Sequence, residues 1–355
     1  MNRIVKRADL KEGMIVYMDV VNSYGTLLVN RGTVIDSRVL ELLEYNEIPT
    51  VVVLNEVEDG GNYITTHLER IKASEKYQKF SKQYEIAYDS LNEHVKDVLD
   101  RSKQVNKEKI VAEINAILEN TATSKELFDA INILKFEKNN MYMHSLNTAL
   151  MSNVLGKWLK FEPDAIEDLT VAGLFHDIGM MMVPQELLDK EPEQRTKEEI
   201  ETIQKHTIYG YRYLMKAELN RQIGLTALMH HENMDGSGYP LQCMGTSLCT
   251  FAKVVAIVDA YDEQTLTKDG GRNPFVLIRA FQTEGLTKYE PQYLMAFLNG
   301  IMDTYIGTDV LLSNGQVGTI IYINRDDMAR PMVRVGENQY INLADEPKLT
   351  ISKFV

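Results

Sequence analysis

The hydrophobic pattern of the chain changes character twice along its length. In the first 60 residues short apolar runs alternate with turn-type residues, and they predict strands at 15–21, 26–29 and 51–54. Asp36 is a suitable N-cap for a short helix that Pro49 ends. Together these elements predict a small β-rich N-terminal domain over residues 1–60.

The middle of the chain has helical periodicity. Four apolar residues between 110 and 118 follow the i, i+4, i+7, i+8 spacing of an amphipathic helix, and the Lys- and Glu-rich stretch before them is interpreted as a solvated helix face. Further along, apolar residues recur with a period near 3.6 and no convincing period-2 run interrupts them. We therefore predict a helical linker region over 61–123 and an all-α domain over 124–305.

The last fifty residues return to strand-like patterns. The Asn314-Gly315 dipeptide between two apolar runs predicts a hairpin with a type I′ turn, and 332–335 and 340–343 are predicted to be two further strands. A small β-strand tail is therefore expected over 306–355. The predicted fold is mainly α, with a small β-rich domain before the helical body and the tail after it.

Charge and composition narrow the class of protein. With 38 Lys and Arg against 51 Asp and Glu, the net charge of −13 disfavours general binding to nucleic acid or to anionic membranes. No apolar run approaches the ~20 residues of a membrane helix, and the N-terminus is charged where a signal peptide is apolar. Two cysteines, Cys243 and Cys249, suit a reducing compartment. We expect a cytoplasmic protein with no membrane span and no nucleic-acid partner.

Histidines supply the candidate chemistry. His67 and His94 lie in the polar helical region, where we expect them to be exposed. The other five lie in the helical body together with two aspartates, one of which follows an apolar run at 254–258. The seven candidate metal ligands are His144, His176, Asp177, His206, His230, His231 and Asp259. Imidazole and carboxylate groups bind divalent metals such as iron, manganese, zinc, cobalt or nickel.

Seven donors exceed what one tetrahedral site uses and suit two metals that share a carboxylate. The alternative is a set of hydrogen-bonded core histidines, and only convergence in space would exclude it. A similar choice applies to the segment after the paired histidines, HHENMDGSGYP at 230–240. Its glycines and proline either form a functional loop beside His230 and His231 or simply end a helix.

The His-Asp pair at 176–177 and the complete HHExxDGxGYP motif at 230–240 resemble the HD-GYP branch of the HD metal-dependent phosphohydrolases, over roughly residues 124–300. The resemblance implies an all-α bundle that hydrolyses cyclic di-GMP to pGpG or GMP. It also implies that the seven ligands named above bind two divalent metals, iron or manganese first, with zinc, cobalt and nickel as further candidates. Asp177 would bridge the two metals, and a hydroxide shared by them would attack the phosphorus.

On the substrate side, the resemblance assigns the loop residues and two later basic residues to the cyclic dinucleotide: Gly236, Gly238, Tyr239, Pro240, Lys268 and Arg272. Two departures stand out. Met180 replaces the lysine of HD-x-G-K, so that a phosphate-holding cation is missing from the catalytic position, and hydrolysis is expected to be slow. Asn140 replaces a glutamate that supports a third metal in some members, which favours two metals.

Two alternatives follow from these departures. One is a catalytically degenerate protein that senses cyclic di-GMP or binds a partner protein. The other is a phosphohydrolase that acts on a different cyclic dinucleotide or nucleotide. A diguanylate cyclase or another signalling protein and a second copy of the chain are the expected protein partners.

Overall fold

The structure is a computed structural model. It describes residues 2–21, 27–29, 33, 35–46, 48–54, 71–100, 104–137, 140–265, 273–336 and 339–354. The chain forms two compact units. The larger comprises Ile71–Ile306 and Tyr322–Pro331, and the smaller comprises Met1–Arg70, Gly307–Ile321 and Met332–Val355. The two compact units group the chain differently from the four predicted segments, because the smaller unit contains both the N-terminal region and most of the tail. The division into four segments remains a prediction.

The larger unit is a helical bundle. Its α-helices are α2 (Glu75–Leu99), α3 (Lys107–Leu118), α4 (Ser124–Glu137), α5 (Met141–Trp158), α6 (Pro163–Phe175), α7 (Gln185–Leu188), α8 (Lys197–Gln204), α9 (His206–Leu214), α10 (Arg221–Met229), α11 (Thr250–Thr265), α12 (Pro274–Ala280), α13 (Leu286–Lys288) and α14 (Pro291–Tyr305). A 3₁₀ segment, Ile178–Met182, follows α6. The mainly α prediction is confirmed. Among the described residues, no helix is both long and apolar enough to cross a bilayer.

Helix α5 lies at the centre of this bundle. Every residue from Met143 to Gly156 is buried, so the helix has no solvent-facing side. It packs against α6 and α11, and these helices carry or immediately precede most of the candidate metal ligands. The histidine on α5 therefore lies inside the bundle rather than on its surface.

Helix α2 corrects two sequence-based expectations. Its aromatic and aliphatic residues recur every three to four positions and bury one face, and the hydroxyl of Tyr84 donates to Oδ1 of Asn147 on α5 at 2.8 Å. The prediction of a solvated polar helix is therefore wrong for that face. His94 is also buried, 2.7 Å from the carboxylate of Glu113 on α3, because an acceptor on the next helix compensates its burial. His67 lies outside the described residues.

In the smaller unit, the N-terminal segment pairs with a strand fifty residues away. Strand β1 (Asn2–Lys6) is antiparallel to β4 (Thr50–Leu54), and β2 (Val20–Val21) pairs with β3 (Leu27–Val29). Helix α1 (Ser37–Tyr45) packs its fully buried Leu43 into this core. The backbone N–H of Val39 donates to the carboxylate of Asp36 at 2.9 Å, which confirms the N-cap. The strand predicted over 15–21 is much shorter than expected, and β1 was not predicted.

The tail forms a five-stranded sheet with the strand order β8-β7-β6-β5-β9. Its strands are β5 (Asp309–Leu312), β6 (Val317–Tyr322), β7 (Met332–Arg334), β8 (Tyr340–Asn342) and β9 (Ile351–Phe354). The hairpin between β5 and β6 is confirmed, but its type I′ turn is not. A type I′ turn needs positive φ at two residues, whereas only Gly315 has one, at +84°. Asn314 instead uses its side-chain oxygen to accept from the N–H of Gln316.

Candidate metal centre

The seven candidate ligands converge in the interior of the helical bundle. Six of them are buried, and the side chain of His231 is the most exposed, at 21%. They form two groups of close donor atoms, which we call cluster A and cluster B. Cluster A comprises His144, His176 and Asp259, and cluster B comprises Asp177, His206, His230 and His231. This convergence disfavours the alternative of scattered core histidines.

In cluster A the three donor atoms face one another. Nε2 of His144 lies 3.2 Å from Nε2 of His176 and 3.1 Å from Oδ1 of Asp259. Nε2 of His176 lies 3.6 Å from the same carboxylate oxygen. Two imidazoles and a carboxylate are donors of the kind that a borderline divalent metal takes.

Cluster B is arranged around one carboxylate. Oδ1 of Asp177 lies 3.2 Å from Nε2 of His206 and 3.3 Å from Nε2 of His230, and it makes no hydrogen bond that would occupy it. The other oxygen, Oδ2, lies 3.7 Å from Nε2 of His176 in cluster A. Asp177 therefore has one oxygen facing each cluster, as a bridging ligand requires.

Outer hydrogen bonds orient the imidazoles. Nδ1 of His176 donates to the carbonyl oxygen of Gly173 at 2.8 Å, and Nδ1 of His206 donates to that of Ile203 at 2.7 Å. His230 makes the same kind of bond to the carbonyl groups of the preceding turn. Because Nδ1 carries the hydrogen, the lone pair of each Nε2 faces the clusters. This arrangement, together with the unbonded Oδ1 of Asp177, fits divalent metals.

The electrostatics of the site are dominated by its two carboxylates. Burial by itself would raise the pKa of Asp177 and of Asp259, but the surrounding histidines outweigh it and hold both pKa values well below the usual range. Burial lowers the pKa of His230, and it lowers the pKa of His231 further. For the other three histidines burial acts in the same direction, but the neighbouring carboxylates outweigh it and raise the pKa: His144, His176 and His206. Without a cation, the two carboxylates are thus compensated by these imidazoles.

The loop after the paired histidines folds back onto them. Gly236 has a φ of +79°, and the peptide bond between Tyr239 and Pro240 is cis. The ring of Tyr239 stacks on that of His231, with the centroids 4.7 Å apart, so this loop covers the exposed side of cluster B. The segment is therefore more than a helix stop.

Gly238 has a structural role that the sequence did not reveal. A Cβ atom at this position would lie 2.3 Å from the carbonyl oxygen of His231 and 2.4 Å from Cα of Glu232. Glycine is therefore required by the approach of the chain to its own backbone, whatever else binds there. A larger residue at 238 is therefore expected to displace His231 and to disturb cluster B.

The two departures from the family pattern have distinct positions. Met180 is half-buried in the 3₁₀ segment directly after Asp177. Asn140 caps α5, with its oxygen accepting from the N–H of Met143 at 3.1 Å and its amide donating to Tyr88 at 2.8 Å. Asn140 thus serves the helix end. Lys268 and Arg272 lie outside the described residues.

Three residues of the site were missed by the sequence reasoning. Asp262 and Lys135 lie behind His144, and Glu232 anchors the loop by accepting from three consecutive backbone N–H groups at 241–243. Asp262 is three positions after Asp259, the spacing of one helical turn, and this is the signal that could have drawn attention to it. Lys135 had no such signal, because its partner is 127 positions away in the chain.

Comparison with known proteins agrees with this geometry. Residues 130–291 match the HD domain family. They contain both the His-Asp pair and the complete HHExxDGxGYP segment, which supply four members of the two clusters. The matched region is a little under half of the chain, and it contains every member of clusters A and B.

Several curated relatives of this chain are named cyclic di-GMP phosphodiesterases. PA4108 of Pseudomonas aeruginosa is 29% identical over 205 residues, which is 57% of this chain and 49% of that protein. PdeB of Borreliella burgdorferi is 27% identical over 207 residues, 57% of this chain and 53% of that protein. The chain therefore spans about half the length of these relatives.

A solved structure shares the fold. Bd1817, an HD-G"Y"P protein from Bdellovibrio bacteriovorus, superposes with a TM-score of 0.50 at 15% identity, covering 85% of this chain and all of that one. At this identity the similarity supports the mainly α architecture and carries no information on the ligand.

Proposed function

We propose that this protein hydrolyses a phosphodiester bond of cyclic di-GMP to give pGpG, GMP or both. The observation that carries the proposal is the placement of cluster A beside cluster B, with one oxygen of Asp177 directed to each. Two adjacent cation sites are what an in-line displacement at phosphorus needs, since both the attacking and the leaving oxygen carry negative charge. The names of the relatives support cyclic di-GMP as the substrate class.

Two divalent metals are proposed to occupy the clusters, with Asp177 shared between them. The family resemblance makes iron or manganese the first candidate, and the nitrogen and oxygen donors also suit zinc, cobalt or nickel. When bound, such metals lower the pKa of water and offset charge on the phosphoryl oxygens. The buried imidazoles contribute by keeping their Nε2 lone pairs aimed at the clusters through their outer hydrogen bonds.

On the substrate side, the loop with Gly236, Gly238, Tyr239 and Pro240 is proposed to hold the dinucleotide at the open edge of cluster B. The aromatic face and the hydroxyl of Tyr239 provide stacking and a hydrogen bond there. Lys268 and Arg272 are proposed as phosphate contacts on the strength of the family resemblance alone. Met180 supplies no charge, so we expect weaker holding of the phosphate and slow turnover.

The test is a turnover assay on the full chain reconstituted with Mn²⁺, or with Fe²⁺ under anaerobic conditions. Cyclic di-GMP, 3′3′-cGAMP and cyclic di-AMP are supplied in parallel, and the products are separated by chromatography. We expect hydrolysis of cyclic di-GMP above the other two, and none in Asp177→Ala. Tight binding of cyclic di-GMP without turnover by the metal-loaded protein would refute the proposal and identify a sensor. A preference for 3′3′-cGAMP would refute the assigned substrate.

We further propose that the protein acts in the cytoplasm. Cys243 and Cys249 are both free thiols, as is typical of a reducing compartment. A cyclase or other signalling protein and a second copy of the chain remain predicted partners.

A further inference from the structure

A buried pair of opposite charges lies behind cluster A. Nδ1 of His144 on α5 is 2.8 Å from Oδ2 of Asp262, and the ammonium group of Lys135 on α4 contacts the other oxygen of that carboxylate. The side chain of Asp262 has no exposed area, and that of Lys135 is 7% exposed. Lys135 also donates to the hydroxyl of Thr265 at 3.1 Å. Lys135, Asp262 and His144 thus form one buried row that joins a cation, a carboxylate and a candidate metal ligand.

The outer hydrogen-bond partner of His144 differs in kind from those of the other histidines with described Nδ1 bonds. His176, His206 and His230 donate their Nδ1 hydrogens to neutral backbone carbonyl groups. His144 has a carboxylate instead, and a carboxylate partner both fixes the tautomer and makes Nε2 a stronger donor to a metal. Burying that carboxylate is costly unless a cation compensates it, and Lys135 is the group that does so.

We propose that Lys135 and Asp262 are positioning residues that orient His144 and strengthen cation binding at cluster A. Lys135 holds one oxygen of Asp262 and thereby turns the other toward Nδ1, so that Nε2 of His144 faces His176 and Asp259. Cluster B does not contact this row, and Nδ1 of His206 and Nδ1 of His230 donate to backbone carbonyl groups instead. The inference rests on the metal centre of the proposed function, and it extends to two residues that never touch the substrate.

The test is the number and affinity of Mn²⁺ sites in the full chain, measured by equilibrium dialysis. Lys135→Met removes the charge and retains most of the apolar stem. We expect the native protein to bind two equivalents and Lys135→Met to bind one with native affinity and the second about 10- to 100-fold more weakly, the usual effect of losing an outer partner. Lys135→Arg retains the cation and should restore most of the second site.

Two further variants distinguish a positioning role of Lys135 from a general loss of stability. Lys76→Met removes a lysine of a neighbouring ion pair, 2.8 Å from Glu126, that is 63% exposed, and both Mn²⁺ sites should remain native. The double variant Lys135→Met with Asp262→Asn leaves no uncompensated charge, and its amide oxygen still accepts from Nδ1. The second site should therefore be tighter in the double variant than in Lys135→Met.

Three outcomes would overturn the inference: two native sites in Lys135→Met, equal weakening of both sites with a lowered unfolding temperature, or a native protein without a second site. Failure of the proposed function gives a different result. A protein that binds two Mn²⁺ but does not hydrolyse cyclic di-GMP leaves this inference standing if Lys135→Met still weakens one site alone.

Discussion

Replacing Gly179 by Ala is expected to separate helix α9 from the segment that carries Asp177. Gly179 is the glycine of the HD-x-G sequence, and an added Cβ would lie 1.9 Å from the carbonyl oxygen of His206 and 2.6 Å from the backbone nitrogen of Gly210. Both contacts are with main-chain atoms of α9, so no side chain can rotate away. The helix itself must move, and His206 is its first residue.

The size of the effect follows from these distances. To restore a contact of 3.0 Å, the two backbones must separate by about 1.1 Å. Metal-ligand distances tolerate about 0.2 Å, so a shift of this size at His206 would remove one ligand from cluster B. Overpacking typically costs about 1–3 kcal/mol, and a backbone clash belongs at the upper end. At about 2–4 °C per kcal/mol for a unit of this size, Tm should fall by roughly 6–12 °C.

The assay combines thermal unfolding of the metal-free chain with Mn²⁺ stoichiometry by equilibrium dialysis. Gly210→Ala is the matched control. It adds the same methyl group to the same interface, where its tightest contact would be the Cβ of Ala227 at 3.2 Å. The next atoms, the backbone nitrogen of Gly179 at 3.4 Å and Cγ2 of Ile178 at 3.5 Å, lie at ordinary van der Waals distances. Alanine is also the better helix residue by about 0.5–1 kcal/mol. We expect a nearly native Tm and two Mn²⁺ sites for the control, and a lowered Tm with a weakened cluster B for Gly179→Ala. A native Tm and two native sites in Gly179→Ala would refute the reasoning.

Three other changes test the site. Asp177→Ala removes the carboxylate that faces both clusters, with one oxygen 3.2 Å from a cluster B histidine and the other 3.7 Å from a cluster A histidine. It should therefore lower the Mn²⁺ content more than Asp259→Ala does. Equal losses in the two variants would argue against a bridging role. Met180→Lys supplies a phosphate-binding cation and should raise turnover of cyclic di-GMP by roughly 30- to 1000-fold, measured as initial rate at saturating Mn²⁺. An unchanged rate would show that position 180 does not reach the substrate. Glu232→Gln weakens the acceptor of three backbone N–H groups at 241–243 and should raise KM with Mn²⁺ content retained, whereas loss of metal would place its role in the fold.

Local patterns in the sequence were sufficient to predict those elements whose structure depends on neighbouring residues. The periodicity of 124–300 predicted the helical body, Asp36 predicted an N-cap, and apolar runs predicted β4, β7 and β8. The residue types and motifs also identified all seven members of clusters A and B, because few side chains bind divalent metals and these recur in a specific pattern. Their division into two clusters was not readable from spacing.

Contacts between distant segments were decided by the tertiary structure. Strand β1 pairs with β4, nearly fifty residues away, and a charged five-residue segment gives little strand signal by itself. His94 was expected in solvent because its neighbours are polar, and it is buried because Glu113 on the next helix provides an acceptor. The same holds for Lys135, whose partner carboxylate, Asp262, lies in another helix.

The sequence by itself determined which side chains could bind metals, since imidazole and carboxylate groups are suitable donors once they converge. It also determined where helices form, since helix periodicity is a property of neighbouring residues. Only the tertiary structure decided which oxygen of Asp177 faces which cluster, why Gly179 and Gly238 admit no side chain, and which outer partner each histidine has. These features depend on atoms brought to within about 4 Å by packing of helices that are far apart in the chain, and a linear pattern does not specify such distances.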